Sequence, residues 1–179
     1  FSLLLGTFPV TGQFGRLHRE RLWKHALATA KHASEIARVR TWITREEAFD
    51  LGLLHDLGWL AMLVHYRDEF ELVTQFAESE EIPPWEAESH FDLYHVQVGR
   101  WIAVKWGLPP VYEMVMAFHH SPERSRSFQP HVKIVSLANA LSNSAEYPHL
   151  VEWASVKTLC RGLRISEDEW QEHVAKVQE

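Results

Sequence analysis

Residues Leu17 to Val39 read LHRERLWKHALATAKHASEIARV. Leu22, Ala26, Thr29, Ala30, Ala33, Ile36 and Ala37 recur at the spacing of one face of an α-helix, and Arg and Lys fill the opposite face. The same period continues outward from this segment. Thr44-Arg45-Glu46-Glu47 forms a capping box, in which the Thr and Glu side chains satisfy free backbone amides, and the helix it opens carries Phe49, Leu53 and Leu54. Gly58 marks a break or a close approach, after which 59–66 resumes an apolar helical pattern. A more exposed helix is expected over 68–80. Pro83-Pro84 ends it and opens a short one over 85–90.

Further helices are expected over 94–106, closed by Gly107 as a left-handed cap, and over 111–120, stopped by Pro122. The polar stretch 121–129 reads as a loop, and Pro130 opens a helix through 145. Gly162 reads as the cap of the following helix, and Ser166-Glu167-Asp168-Glu169 as a second capping box that starts a C-terminal one. No segment sustains the two-residue alternation of a half-buried strand. The expected fold is therefore all-α, with seven to nine helices: a lead over 1–16, a helical core over 17–145 and a C-terminal helical extension over 146–179.

Composition limits what such a fold does. The chain has 179 residues, 46% of them hydrophobic and 12% aromatic, enough to bury the core of one domain. Against 18 Lys and Arg stand 24 Asp and Glu, so the net charge of −6 provides no general attraction to nucleic acid. Cys160 is the only cysteine, which excludes an internal disulfide framework and fits a reducing cytoplasm. The longest apolar stretch, Gly52 to Tyr66, is interrupted by His55, Asp56 and His65 and falls short of the roughly 20 residues of a membrane span. Phe1-Ser2-Leu3-Leu4-Leu5 has no basic residues before it and does not read as a signal peptide.

Histidine is the anomaly, at 12 residues. His55-Asp56 lies inside Gly52-Leu53-Leu54-His55-Asp56-Leu57-Gly58, where a buried carboxylate needs an ion pair, strong hydrogen bonds or a cation. A structural pair, a helix cap and a metal ligand all meet that need. His25, His95 and His119-His120 lie on helix faces or ends that also carry apolar residues. Helix neighbours project about 100° apart, so one of His119 and His120 is expected at a site and the other as an ordinary helix-end residue. His18, His32, His65, His90, His131, His149 and His173 read as surface or structural residues. Trp23, Trp59, Trp101 and Trp106 fall within apolar helical patterns and read as core. The Arg38, Arg40, Arg45 and Lys157, Arg161, Arg164 groups read as solvated helix faces.

Taken in order, Leu22-Trp23-Lys24-His25, Gly52 to Gly58, His95-Val96-Gln97-Val98-Gly99, Trp106-Gly107-Leu108-Pro109 and His119-His120-Ser121-Pro122-Glu123 resemble the HD superfamily of metal-dependent phosphohydrolases, most closely its HDOD branch of HD-related output domains. The resemblance covers roughly Leu22 to Asn143. It implies a compact multi-helix domain in which His25, His55, Asp56, His95, His119, His120 and Asn139 surround one or two divalent ions. Imidazole and carboxylate ligands suit iron or manganese first, with zinc and nickel also compatible. A typical member carries a further helical half before the matched segment, and here only the short lead from Phe1 to Leu17 stands there.

Three departures separate the chain from the hydrolases it resembles. Asn139 stands where the family segment ends its motif with Asp, Trp59 stands where the branch that degrades cyclic dinucleotides has Lys, and the Gly-Tyr-Pro signature is absent after His120. The resemblance thus implies a cytoplasmic bacterial signal-transduction module that acts through a protein partner, with weak or absent enzymatic activity. The alternative it carries is a metal-dependent phosphohydrolase acting on a nucleotide or phosphodiester, for which a phosphorylated small molecule would be the ligand. No membrane or general nucleic-acid partner is expected, and the sequence leaves the oligomeric state open.

Overall fold

The computed structural model describes residues 12–146, 149, 153–166 and 168–170. They form nine α-helices: α1 (Gly12–Ala37), α2 (Arg45–Leu54), α3 (Leu57–His65), α4 (Arg67–Glu80), α5 (Pro84–Ala87), α6 (His95–Lys105), α7 (Pro110–Phe118), α8 (Gln129–Glu146) and α9 (Trp153–Leu163). Short 3-10 turns follow α5 (Glu88–His90) and α7 (Pro122–Arg124), and no strand occurs among the described residues. No helix among them is long and apolar enough to cross a membrane.

Local chemistry accounts for most of the boundaries. Thr44 Oγ1 accepts from Glu47 N at 3.0 Å at the start of α2, and Gly107, at φ +65°, closes α6 while Leu108 N reaches back to Ala103 O. Ser166 and Glu169 form a reciprocal capping box at 3.0 and 3.2 Å; the helix it opens lies mostly outside the described residues, as does most of the lead. Three expectations need correction. α1 starts at Gly12, ahead of Leu17. The 121–129 loop holds the Pro122–Arg124 turn and gives way to α8 at Gln129. Gly162 is not a cap: Val156 and Leu163 occupy one buried face of α9, which continues through Gly162 until Arg164 takes the left-handed conformation.

Packing then fixes the site. The small residues Ala30 and Ala33 on α1 let α2 come so close that a Cβ on Gly52 would lie 2.8 Å from Ala30 Cα. Around that contact Ile36, Leu51, Val115, Ile134 and Leu137 form the main core, each large side chain contributing about 1.5–3 kcal/mol on burial. Val156, Leu163 and Ile165 belong to the same cluster, so α9 shares the core of the helices before it. Trp59, Met62, Leu63, Phe70 and Val73 join α3 to α4 in a second cluster. At Gly58 a Cβ would meet His95 O at 1.9 Å, so α3 and α6 touch backbone to backbone. That contact brings the residue before α3, Asp56, beside the first residue of α6, His95.

Two surface expectations also change. Trp59 is 5% exposed, but Trp101 and Trp106 are 62% and 50% exposed. α6 buries His95, Gly99, Ile102 and Ala103, and both tryptophans fall off that stripe. Arg40 is not a fully solvated cation, since its side chain is only 11% exposed and Nη1 meets Glu169 Oε1 at 3.3 Å.

Candidate metal centre

The chain leaves helical geometry between α2 and α3, and Asp56 occupies that break at φ −102° and ψ 21°. Its carboxylate points into a ring of imidazoles from four parts of the fold. His55 Nε2 lies 3.2 Å and His25 Nε2 3.5 Å from Oδ2. His119 Nε2 lies 3.2 Å and His95 Nε2 3.4 Å from Oδ1. The rings of His119 and His120 are 4.2 Å apart.

The outer nitrogens of three of these rings settle what the inner ones offer. His55 Nδ1 donates to Gly52 O at 2.7 Å, and His119 Nδ1 donates to Val115 O at 3.1 Å, because a carbonyl only accepts. His95 Nδ1 donates to both carboxylate oxygens of Glu88 at 2.8 Å, and Glu88 Oε1 also accepts from His95 N at 2.6 Å. With Nδ1 carrying a proton, a neutral ring turns an Nε2 lone pair inward, whereas an imidazolium turns a second proton there. Three Nε2 atoms then face one carboxylate, and His95 Nε2 and His119 Nε2 stand only 3.4 Å apart. Lone pair against lone pair is repulsive unless a proton or a cation sits between them. His55 Nε2 and Asp56 Oδ1 are in fact buried without any hydrogen-bond partner. The donor set and its orphaned atoms fit a divalent cation, with Glu88 as the outer partner that orients His95.

Electrostatics agree with that fit. Burial holds His25 down at about 4 against the pull of Asp56, and it does the same to His119 at about 4. Burial, with His119 and His95 beside it, also pushes His120 well below its ordinary value. These three rings are neutral at pH 7, as ligands must be. Burial disfavours charge on His95 too, but Glu88 and Asp56 outweigh it and raise this ring to about 9, so without an ion it carries a second proton on Nε2, in the place a bound cation would take. Burial would raise the Asp56 carboxyl, yet the rings of His55, His119 and His95 hold it well below the usual carboxylate range.

All seven residues singled out in the sequence therefore gather in one region. Asp56, His95, His119 and His120 offer atoms within 4.8 Å of one another, and His25, His55 and Asp56 form a second such group that shares the carboxylate. Both His119 and His120 contribute, contrary to the expectation that one would be a bystander, because α7 stops at Phe118 and the pair sits in the turn beyond it. Asn139 is 4% exposed, shares a hydrogen bond with His25 and accepts one from Asn143 Nδ2 at 3.1 Å.

Sequence reasoning missed Glu88, Trp85 and the role of Trp59. Glu88 is 1% exposed in a 3-10 turn, and nothing in its local sequence marks it as buried. Trp59 stacks on His95 with centroids 4.7 Å apart, and Trp85 stacks on His120 at 4.9 Å. Trp59 lines one of two cavities here, and Trp85 lines both. One, of about 410 Å³, has apolar walls that include Leu22, Phe70 and Ile82 and a floor of His25, Asp56 and Asn139. The other, of about 520 Å³, is more polar and runs from His119 and His120 along α8 to α9. Trp85, His120, Asn139 and Asn143 line both.

The profile of the HDOD domain family matches residues 3–122, starting earlier and ending sooner than the motif-based limits. A protein of uncharacterized function from Treponema pallidum is 27% identical over 124 residues, which is 68% of this chain but only 24% of that protein. Among solved structures, an HDOD domain protein of unknown function from Geobacter sulfurreducens superposes with a TM-score of 0.69 at 22% identity, over 90% of this chain and 62% of that one. A protein from Shewanella amazonensis, named as a candidate phosphohydrolase, gives 0.72 at 18%, over 97% and 64%. The MmoQ response regulator of Methylococcus capsulatus gives 0.65 at 20%, over 87% and 60%. At these identities the structural likeness concerns the fold. The chain spans about a quarter of the length of the Treponema relative and less than two thirds of each of these solved chains.

Proposed function

The chain belongs to the HDOD domain family, and from that premise we propose that it is a signal-transduction module whose state is set by one or two divalent ions held at Asp56. The observation that carries this reading is the arrangement of His55, His95 and His119, whose protonated Nδ1 atoms are each bound outward while their Nε2 atoms converge on one carboxylate. His95, His119, His120 and Asp56 would hold one ion, and His25, His55 and Asp56 the other. Bound there, a divalent ion would act as a Lewis acid and lower the pKa of a bound water.

The chain's own residues argue for a regulatory output over turnover. Asn139 contributes a neutral amide beside His25, so that flank lacks a second carboxylate. Trp59 presents an indole to the apolar cavity, so no ammonium reaches the site from that position. An ion would tie together α1, the α2–α3 break, α6 and the end of α7, so loading would stiffen four parts of the fold at once. A protein partner that reads this difference is the proposed output, in a cytoplasmic setting.

The test is elemental analysis of protein purified without a histidine tag, followed by reconstitution with iron, manganese, zinc and nickel. Near-stoichiometric retention that His55→Ala abolishes is expected. Failure of every metal to bind would defeat the reading. A second reading, metal-dependent phosphohydrolase, draws on the shared carboxylate between two ligand groups. Robust phosphodiester turnover by the unaltered chain, abolished by His55→Ala, would favour it.

A further inference from the structure

The polar cavity contains a cation that the metal reading does not use. α8 directs Lys133, Ser136, Asn139, Ala140 and Asn143 along one side of it, at the three- and four-residue spacing of a helix face. Lys133 is half-buried and has no carboxylate partner among the described residues, while its ammonium lies over Gly162, where a Cβ would come within 3.3 Å of Nζ. Among the described residues the carboxylic residues of the cavity are Glu86 and Glu123, both exposed and screened by solvent. An ammonium in a cavity wall with no carboxylate partner offers its donors to an anion.

What lies between Lys133 and the histidines defines the rest of the ligand. Lys133 and Asn139 are six helical steps apart, about 9 Å of rise, which is too far for one phosphate to span. The intervening surface is uncharged and hydrogen-bonding: the Ser136 hydroxyl donates to Val132 O at 2.8 Å and keeps its acceptor capacity, and the Asn139 and Asn143 amides follow. Trp85 adds an aromatic edge at the histidine end. One ammonium with two exposed carboxylates suits a single phosphate and disfavours polyphosphates.

We propose that this cavity binds a phosphorylated sugar or polyol, with its phosphate on Lys133 and its hydroxyl groups along Ser136, Asn139 and Asn143 toward His120. Lys133, Ser136, Asn139 and Asn143 all lie on α8, so one helix face sets the selectivity. The inference shares Asn139 and His120 with the metal centre, but its phosphate sits on Lys133, which the metal reading does not use. Metal-free protein is therefore one arm of its test.

The full chain, chelated and metal-loaded, is titrated calorimetrically with glucose 6-phosphate, glycerol 3-phosphate, inorganic phosphate and glucose. Both esters should bind more tightly than inorganic phosphate, and glucose should not bind. Lys133→Gln should weaken the esters about tenfold, as expected for a lost charge-assisted hydrogen bond, and Lys133→Arg should retain them. Metal content and the thermal transition should not change in either variant. The proposal is overturned if neither ester binds at millimolar concentration, if Lys133→Gln binds them as the parent does, or if ester binding disappears with the metal regardless of residue 133.

Discussion

On one flank of Asp56 stand His95, His119 and His120, and on the other His25 and His55. The first flank is braced from outside: Glu88 grips His95 through both its backbone and ring nitrogens, Val115 O holds His119, and Trp59 and Trp85 stack on His95 and His120. On the second flank only His55 is tied to backbone, at Gly52 O. His25 relies on side chains, with Asn139 beside it and Thr29 Oγ1 at 3.5 Å. The same residue types thus make two positions of different rigidity and charge. Since affinity depends on ligand charge and on how firmly outer partners orient the ligands, the braced flank should load first and hold its ion more tightly.

The most damaging change is to the carboxylate both flanks share. Asp56→Asn should reduce retained metal to background at both positions, read by elemental analysis after dialysis against a weak chelator. Retention of even one equivalent would show that the histidines suffice without a bridge. Gly58→Ala acts on the braced flank alone, by forcing a methyl into His95 O at the α3–α6 contact. We expect a loss of about 3 kcal/mol or more in chemical denaturation, with the braced position lost in whatever protein remains folded.

A subtler cut is Glu88→Gln, which keeps the shape but removes the charge behind His95. Metal affinity at the braced position should fall about 10- to 100-fold in chelator competition, while the His25–His55 position is unchanged. A uniform fall at both would mean the two flanks are not separable. Asn139→Asp works in the opposite direction on the weaker flank: stoichiometry should move toward two ions per chain, and phosphodiester hydrolysis should remain low in the unaltered chain under matched loading.

The smallest effect is the pH dependence of the metal-free chain. His95 is raised to about 9 from 6.5, so its stabilising contribution is complete below pH 6.5 and is lost as pH rises through 9. His25 and His119, lowered to about 4, stay neutral in the folded chain while the unfolded chain takes up protons, so stability also declines as pH falls from 6.5 toward 4. Thermal unfolding in chelator should decline on both sides. His95→Asn should flatten the alkaline limb only, and a parent chain with no alkaline decline would remove the role given to Glu88.

The sequence by itself determined most of the helices and singled out the histidines that meet at Asp56. Periodicity over 17–39, the Thr44 and Ser166 caps and Gly107 are local devices, satisfied by residues within a few positions of each other, so they can be read without knowing the fold. The same is true of His55-Asp56, because a carboxylate in an apolar helical stretch has to be compensated somewhere. What compensates it was decided only in three dimensions. Glu88 reaches His95 because α3 and α6 meet at Gly58, and His119 and His120 both face inward because α7 stops at Phe118. Trp101 and Trp106 ended on the surface because burial follows a helix's neighbours as well as its own pattern. The division into braced and yielding flanks, and the place of Lys133 in its cavity, likewise depend on which helices touch, and contacts between residues distant in sequence leave no period in the chain.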